Sequence, residues 1–105
     1  MRNVRRCVQH AINLDYGKGL DPDGYFQTKS KKAFGSHYVK RGEKQYMVTA
    51  LEIALMCHGY NPNGVECPGQ FGSGLEACVK QYQRDHGLSP DGIAGRNTFF
   101  SLMGI

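Results

Sequence analysis

The sequence contains no apolar run close to the roughly 20 residues that a membrane-spanning helix needs. The basic N-terminal stretch MRNVRRCVQHAINL also lacks the apolar segment of a secretory signal peptide. With 105 residues, 40% of them hydrophobic, the chain has the size and composition of one globular domain or two very small ones. We therefore expect no membrane span and no leader here. If the protein works outside a cell, another component exports it, or the chain is part of a larger exported protein.

Motifs of common enzymes are missing as well. The sequence has no H-E-x-x-H, no nucleophile elbow and no phosphate-binding loop. Cys57 and His58 are neighbours on a predicted helix and point about 100° apart, which disfavours a cysteine hydrolase. The paired carboxylates that a glycosidase needs could come from two sets: Glu52 with Glu76, and Asp23 with Asp91. Because both aspartates have a turn role and the chain is short for a sugar cleft, we predict no catalytic residue.

The four cysteines do not form a metal-binding pattern. They stand singly at Cys7, Cys57, Cys67 and Cys78, with no C-x-x-C pair and no histidine pair at zinc-finger spacing. Cys57 and Cys78 fall at predicted inward positions of helices, while Cys67 lies in a loop and could pair with either of them. A zinc site from Cys57, His58, Cys67 and Cys78 is conceivable, but structural zinc sites usually have closely spaced ligand pairs. The sequence predicts no metal and no cofactor.

Positive charge is concentrated in the first half of the chain. Residues 1–45 carry a net charge of +6 and residues 46–105 one of −2, within a total of +4. This asymmetry suits a polyanionic partner such as nucleic acid, or an anionic cell wall. A solvated basic face explains it equally simply, and we favour that interpretation because no nucleic-acid-binding motif accompanies the charge.

Hydrophobic periodicity predicts an all-α fold with long glycine-rich loops. Apolar residues recur at spacings of three and four over 3–14, 46–57 and 75–85, which predicts three helices. Two shorter helices are expected, one over 31–34 and one after Thr98 that carries Phe99, Leu102 and Met103. Val39 and Val65 are the only indications of a strand.

One short pattern occurs twice, as GLDPDGYFQTKSKKAF in residues 19–34 and as GLSPDGIAGRNTFFSL in residues 87–102. In each Asp-Gly pair the aspartate can close a turn on its own backbone and the glycine supplies a positive φ. The apolar residue that follows, Tyr25 or Ile93, is expected to fill the core. Ser30 and Thr98 are expected to cap the next helix, each contributing about 1 kcal/mol.

The turn that results should be rigid, with outward-pointing amides beside a helix N-terminus, and such a corner suits a polar, anionic or amide-rich ligand. Upstream of it, Cys7-Val8 aligns with Cys78-Val79 if three residues are inserted.

Three patterns follow one another in the second part of the chain. Lys40-Arg41-Gly42 leads into the first helical pattern, whose matching residues span 48–60. Phe71-Gly72 precedes the second, matched over 77–83, and Asp91-Gly92-Ile93-Ala94-Gly95 precedes Thr98 and Leu102. Their order and spacing over residues 38–103 resemble the peptidoglycan-binding domain 1 family, a three-helix cell-wall module of bacterial and phage lytic enzymes. Four positions depart from the usual family residues and bear on the ligand groove rather than on the fold: Gln27, Glu52, His58 and Leu75.

The resemblance implies a small helical bundle organised as residues 38–105, a full binding domain, and residues 1–37, a shortened N-terminal copy. Because about 35 residues rarely support a core alone, the two parts are expected to pack as one body. The implied function is non-catalytic binding of bacterial peptidoglycan, both glycan strand and stem peptide. Such binding would hold a fused or associated hydrolase, an endolysin or autolysin, at the cell wall. A protein-interaction module on the same scaffold is the alternative, and a nucleic-acid binder is a weaker one.

The ligand surface implied by the resemblance lies beside the middle loop and the second Asp-Gly turn. Its aromatic rings could stack on sugars and its arginines could bind stem-peptide carboxylates. Buried aromatic residues and a turn-forming aspartate are the competing structural roles for several members. The candidates are Tyr60, Asn61, Phe71, Tyr82, Arg84, Asp91, Arg96 and Asn97.

Overall fold

The computed structural model describes residues 2–62, 65 and 68–105. The described chain is mainly helical, as predicted, and no helix in it is long and apolar enough to cross a membrane. In chain order the elements are α1 (Arg2–Tyr16), α2 (Thr28–Phe34), β1 (Lys44–Gln45), α3 (Tyr46–Cys57), β2 (Gly69–Gln70), α4 (Ser73–Asp85) and α5 (Arg96–Met103).

The predicted boundaries are confirmed for α3, whereas α2 and α5 begin earlier than expected. Gln27 and Gly95 occupy the N-cap positions, and neither makes a side-chain capping bond. The prediction that Ser30 and Thr98 cap these helices is therefore wrong. Both residues lie inside the first helical turn, where their hydroxyl groups bind a buried side chain described below.

A minimal sheet links the loops that precede α3 and α4. β1 pairs antiparallel with β2, with Lys44 opposite Gln70. Val39 forms a separate bridge with Ala94, in which each backbone N–H donates to the other's carbonyl at 3.0 and 2.9 Å. The predicted strand character of Val39 is thus confirmed by this bridge, whereas Val65 is exposed and lies in no strand. Two-residue strands made of Lys, Gln and Gly carry no strand signal in sequence.

A single core runs through both halves of the chain. Helix α3 lies at its centre and packs mainly against α1. Rings from the two halves meet edge to face, with centroids 5.4 Å apart for Phe34 and Phe99 and 5.5 Å apart for Phe34 and Phe100. Such packing of aromatic rings stabilises the contact beyond the area that it buries. The first 37 residues therefore share the core of the rest of the chain.

Within the described residues, hydrogen bonds also join the same two halves. The Arg5 guanidinium donates to the carbonyl of Met103 at 3.0 Å. Arg96 donates to the carbonyls of Lys31 and Gly35 at 3.2 and 3.0 Å, at the C-terminal end of α2. The Asp15 carboxylate, near the end of α1, accepts two hydrogen bonds at the N-terminus of α3. Asp15 thus caps a helix that begins 31 residues further along the chain.

Replacing Asp15 with alanine is expected to lower the free energy of unfolding by about 1–2 kcal/mol, the usual effect of losing an N-cap. The carboxylate accepts from Tyr46 N at 2.9 Å and Met47 N at 2.7 Å, and alanine leaves both donors without it. Asp15→Asn keeps one acceptor, so its free energy of unfolding should lie between those of the wild type and Asp15→Ala. Urea denaturation measures the effect, with the exposed Asp21→Ala as the matched control. Equal stability of D15A and D21A would contradict the long-range cap.

Candidate ligand-binding surface

A buried glutamine organises the second Asp-Gly corner, which we define as residues 87–98. Gln83, 1% exposed, accepts a hydrogen bond from Gly92 N at 3.1 Å through its Oε1 atom. Its Nε2 group lies 3.2 Å from Asp91 Oδ1, 3.1 Å from the Ile93 carbonyl oxygen and 3.0 Å from Thr98 Oγ1. One side chain thereby fixes the turn, the residue after it and the first turn of α5.

Gln9 does the same at the first corner, residues 19–30. It is fully buried, and its Oε1 atom accepts from Gly24 N at 2.9 Å. Its Nε2 group lies 3.3 Å from Asp23 Oδ1, 3.1 Å from the Tyr25 carbonyl oxygen and 3.0 Å from Ser30 Oγ. The two corners therefore share the same set of hydrogen bonds, with Ser30 in the place of Thr98.

These bonds change the alignment of the helices that precede the corners. Gln83 lies eight residues before Asp91, whereas Gln9 lies fourteen residues before Asp23. The hydrogen bonds therefore align Gln9 with Gln83 across an insertion of six residues. The sequence alignment, which paired Cys7 with Cys78 across three residues, had a different register. Both glutamines are visible in the sequence, but only the fold shows that they face the turns.

The residue after each Asp-Gly pair does not fill the core, contrary to expectation. Tyr25 is 60% exposed and Ile93 is 38% exposed. The next residue in each corner, Phe26 or Ala94, is the buried one. The reason is local. The backbone N–H of Tyr25 or Ile93 donates to the aspartate of its corner, and the backbone carbonyl of the same residue accepts from the glutamine. These bonds fix the backbone, while the side chain remains largely accessible to solvent.

Arginines of α1 brace the first corner from outside. Arg2, Arg5 and Arg6 donate through Nε to the carbonyls of residues 23, 24 and 22, at 2.9, 2.8 and 3.0 Å. Part of the basic charge of the N-terminal half thus has a structural role. The hydrogen bond from Tyr25 N is the main cause that lowers the pKa of the Asp23 carboxyl below its usual value.

A pocket of about 240 Å³ opens beside the second corner. It brings together three of the predicted ligand residues, Asp91, Arg96 and Asn97. Its remaining lining residues are Gln83, Leu88, Ser89, Ile93, Gly95 and Thr98.

Two of these three predicted residues already have intramolecular partners. Asp91 Oδ1 accepts from Ile93 N at 2.9 Å, which closes the turn. Arg96 donates to the carbonyls of Lys31 and Gly35, and its guanidinium carbon lies 4.4 Å from the centre of the Phe100 ring. Asn97 and Ser89 are exposed at the pocket and are the polar side chains best placed to reach a ligand.

Two other predicted ligand residues, Phe71 and Tyr82, belong to the core. They are 1% and 0% exposed, and the Tyr82 hydroxyl is 2.7 Å from Ser101 Oγ. The His86 ring is stacked on Tyr82 with a centroid distance of 3.9 Å. Since neither aromatic side chain presents surface to a ligand, neither belongs to the candidate surface.

Tyr60 lies at the edge of the aromatic cluster formed by Tyr82 and His86, and it is half-buried. Its hydroxyl donates to Asp85 Oδ2 at 2.6 Å. The remaining two candidates, Asn61 and Arg84, are exposed. The pocket at the 87–98 corner is not lined by Tyr60, Asn61 or Arg84.

The bond between Tyr60 and Asp85 predicts two shifted titrations. The hydrogen bond to Asp85 raises the pKa of Tyr60 to about 12, and the bond from Tyr60 lowers the pKa of Asp85. The bond therefore stabilises the fold at pH values between the two folded-state pKa values. Its contribution is lost as pH falls through the folded-state pKa of Asp85, and also as pH rises through the folded-state pKa of Tyr60, about 12. NMR titration measures both pKa values. Tyr60→Phe should raise the Asp85 pKa, and Asp85→Asn should bring Tyr60 back towards 10.0; unchanged values would contradict the bond.

The described cysteines are free thiols in different surroundings. Cys57 is exposed at the end of α3, so the expectation that it faces inward is wrong, while Cys7 and Cys78 are half-buried. Burial raises the pKa of Cys7 and Cys78, which disfavours thiolate chemistry there. Cys67, and with it the suggested pairing and zinc site, lies outside the described residues. Within the described residues, no group of three or more His, Cys, Asp or Glu could hold a metal.

Comparison with known protein families identifies the family to which this chain belongs. The sequence profile of the family described as "Putative peptidoglycan binding domain" matches residues 44–102. This match covers more than half of the chain, so the protein belongs to this family. The matched region contains α3, α4, α5 up to Leu102 and the 87–98 corner, but not the 19–30 corner.

Two known proteins are similar to this chain, and the first supports the assignment. A 2.05 Å crystal structure of a peptidoglycan-binding protein from Clostridioides difficile, in complex with glutamine hydroxamate, is 35% identical with a TM-score of 0.56. The match covers 63% of this chain and 40% of that one. The Bacillus subtilis (strain 168) protein named "Uncharacterized protein FadG" is 28% identical over an alignment of 102 residues, and the match covers 94% of this chain and 17% of FadG. The chain thus spans less than half the length of either relative.

Proposed function

We propose that the protein binds bacterial peptidoglycan without cleaving it and holds a fused or associated hydrolase, an endolysin or autolysin, at the cell wall. The observation that carries this proposal is the family match over residues 44–102. Tethering raises the local concentration of a catalytic domain at an immobile polymer without requiring chemistry from the tether itself. The relatives are much longer than their matched regions, which is consistent with a module that serves other domains.

The pocket at the 87–98 corner is the proposed contact with the wall. Asn97 and Ser89 can exchange hydrogen bonds with sugar hydroxyls and with the amides of the stem peptide. Leu88 and Ile93 offer apolar surface to methyl groups of the same ligand. Because Gln83 fixes the corner from within, this surface is organised before the ligand arrives, which reduces the entropy lost on binding.

We further propose that residues 1–37 are a shortened copy of the family domain that is packed against the full copy in residues 38–105. The identical roles of Gln9 and Gln83 support this interpretation, since each binds a turn glycine, an aspartate and a helix hydroxyl. The shared core means that neither part needs to fold alone.

NMR titration of the full chain with a soluble muropeptide tests the proposed contact. We expect the amide signals of residues 88–98 to shift, and Asn97→Ala to weaken binding about fivefold by removing one hydrogen-bonding side chain. Gln81→Ala, at an exposed position of α4 that does not line the pocket, is the control that should bind normally. If the wild-type chain shows no shift and does not bind intact walls, the protein-interaction alternative replaces peptidoglycan binding.

A further inference from the structure

Tyr25 is the most exposed large hydrophobic side chain in the described part of the molecule, at 60% exposure. We propose that Tyr25 and the pocket beside it form a second peptidoglycan-binding site, in which the ring stacks on a sugar and neighbouring polar groups bind the stem peptide. This site lies outside residues 44–102, which the family profile covers. The inference rests on the proposed function and extends it to a second surface of the same chain.

The fold does not require an aromatic residue at position 25. The backbone of Tyr25 is held by Asp23 Oδ1 at 2.9 Å and by Gln9 Nε2 at 3.1 Å. Ile93 occupies the same place in the other corner, with the corresponding bonds to Asp91 and Gln83 at 2.9 and 3.1 Å. Since isoleucine serves the same backbone role, the exposed ring of Tyr25 is free for another use.

The ring is held in place from one side. The guanidinium carbon of Arg2 lies 4.9 Å from the centre of the Tyr25 ring, within the range of a cation–π contact. Arg2 is itself fixed by its hydrogen bond to the carbonyl of Asp23 at 2.9 Å. A ring held on a braced corner loses little conformational entropy when a ligand stacks on it. The surface that remains exposed is the surface available to a sugar ring.

The adjoining pocket supplies polar groups of the kind that bind peptidoglycan. It has a volume of about 220 Å³, close to the 240 Å³ of the pocket at the other corner. The exposed side chains of Asp21, Gln27 and Lys29 line it together with Tyr25. Asp21 and Gln27 can bind sugar hydroxyls and peptide amides, and Lys29 can pair with a stem-peptide carboxylate.

Two sites on one folded domain would let the chain bind a polymer at two points. Once one corner is bound, the second binding event is intramolecular, and the combined affinity can exceed that of either site by orders of magnitude. Loss of Tyr25 should therefore matter more on an intact wall than on a soluble muropeptide that fills one site at a time.

The test is sedimentation of the full chain with purified peptidoglycan from which phosphate-containing polymers have been removed. We expect Tyr25→Ile, which introduces the residue of the other corner, to weaken binding to the wall about tenfold. Tyr25→Phe keeps the ring and should bind as the wild type does, and Lys29→Gln should weaken binding about threefold. Melting temperatures within about 2 °C of the wild type would show that the variants are folded.

The outcomes separate this inference from the proposed function. Wild-type binding together with undiminished binding by Y25I would overturn the second site and leave the proposed function standing. Failure of the wild type itself to sediment would overturn both. A Y25I defect seen only on walls that retain their phosphate polymers would also overturn the second site, since its ligand would then be the anionic polymer.

Discussion

Replacing Gln83 with leucine is expected to lower the free energy of unfolding by about 3 kcal/mol. Leucine has nearly the same size but can neither accept from Gly92 N nor donate to Asp91 and Thr98. The buried Gly92 N–H and Thr98 hydroxyl would be left without this partner, and an unsatisfied buried polar group costs more than the hydrogen bond contributes. The exposed Asp91 carboxylate keeps its bond from Ile93 N. Gln83→Glu should destabilise at least as much, because it places a buried carboxylate against the Asp91 carboxylate and the Ile93 carbonyl oxygen.

Urea denaturation followed by circular dichroism measures the effect of Q83L. Gln81→Leu is the matched control on the same helix. Gln81 is exposed and its amide donates to the exposed Asp85, so its replacement should change stability by about 0.5 kcal/mol or less. Gln9→Leu should resemble Gln83→Leu because Gln9 has the same four partners at the other corner. A Q83L protein as stable as Q81L would contradict the central role of the glutamine.

Replacing Gly69 with alanine is expected to destabilise the protein by about 2–3 kcal/mol through overpacking. A Cβ atom at this position would lie 2.5 Å from Thr49 N and 2.8 Å from the Val48 carbonyl carbon. Both are backbone atoms at the start of α3, and no side-chain rotation can relieve the contact. Either β2 must move away from the helix, which disturbs its pairing with β1, or α3 must shift within the core.

Gly72→Ala is the control for Gly69→Ala. Gly72 also has a negative φ, and a Cβ there would meet nothing within 4 Å. Its replacement should cost less than about 1 kcal/mol, which reflects only the lower N-cap preference of alanine. Thermal denaturation of the two variants measures the difference. If G69A melts at the temperature of G72A, the close approach of β2 to α3 would be contradicted.

Much of the helical framework can be predicted because its signals are local. The apolar spacing over 46–57 gave the limits of α3, and the Asp-Gly pairs located both turns, whose glycines have φ of +84° and +76°. The cap that Asp15 places on α3 could not be predicted, since it joins residues 31 positions apart. Ser30 and Thr98 matched the local pattern of a cap, but a distant glutamine binds their hydroxyls instead.

The candidate surface also contains residues that local sequence signals predict and residues whose position depends on tertiary packing. Asp91, Arg96 and Asn97 were predicted together because they are close in sequence, and they line one pocket. Whether an aromatic candidate is buried or exposed depends on tertiary packing, which places Phe71 and Tyr82 in the core. Tyr25 was expected in the core because it is apolar and follows a turn, yet backbone bonds hold it in place while its ring stays exposed. Its contact with Arg2 depends on the packing of α1 against the corner, which no local pattern reports.

Peptidoglycan binding without hydrolysis is tested most directly by mixing the purified chain with intact peptidoglycan sacculi, then measuring both the sedimented protein and the turbidity of the suspension. We predict that the chain sediments with the sacculi in a saturable manner and that turbidity and soluble muropeptides stay at the level of a protein-free control. A chain that remains in the supernatant at every concentration, or that clears the suspension, would contradict a non-catalytic wall-binding role.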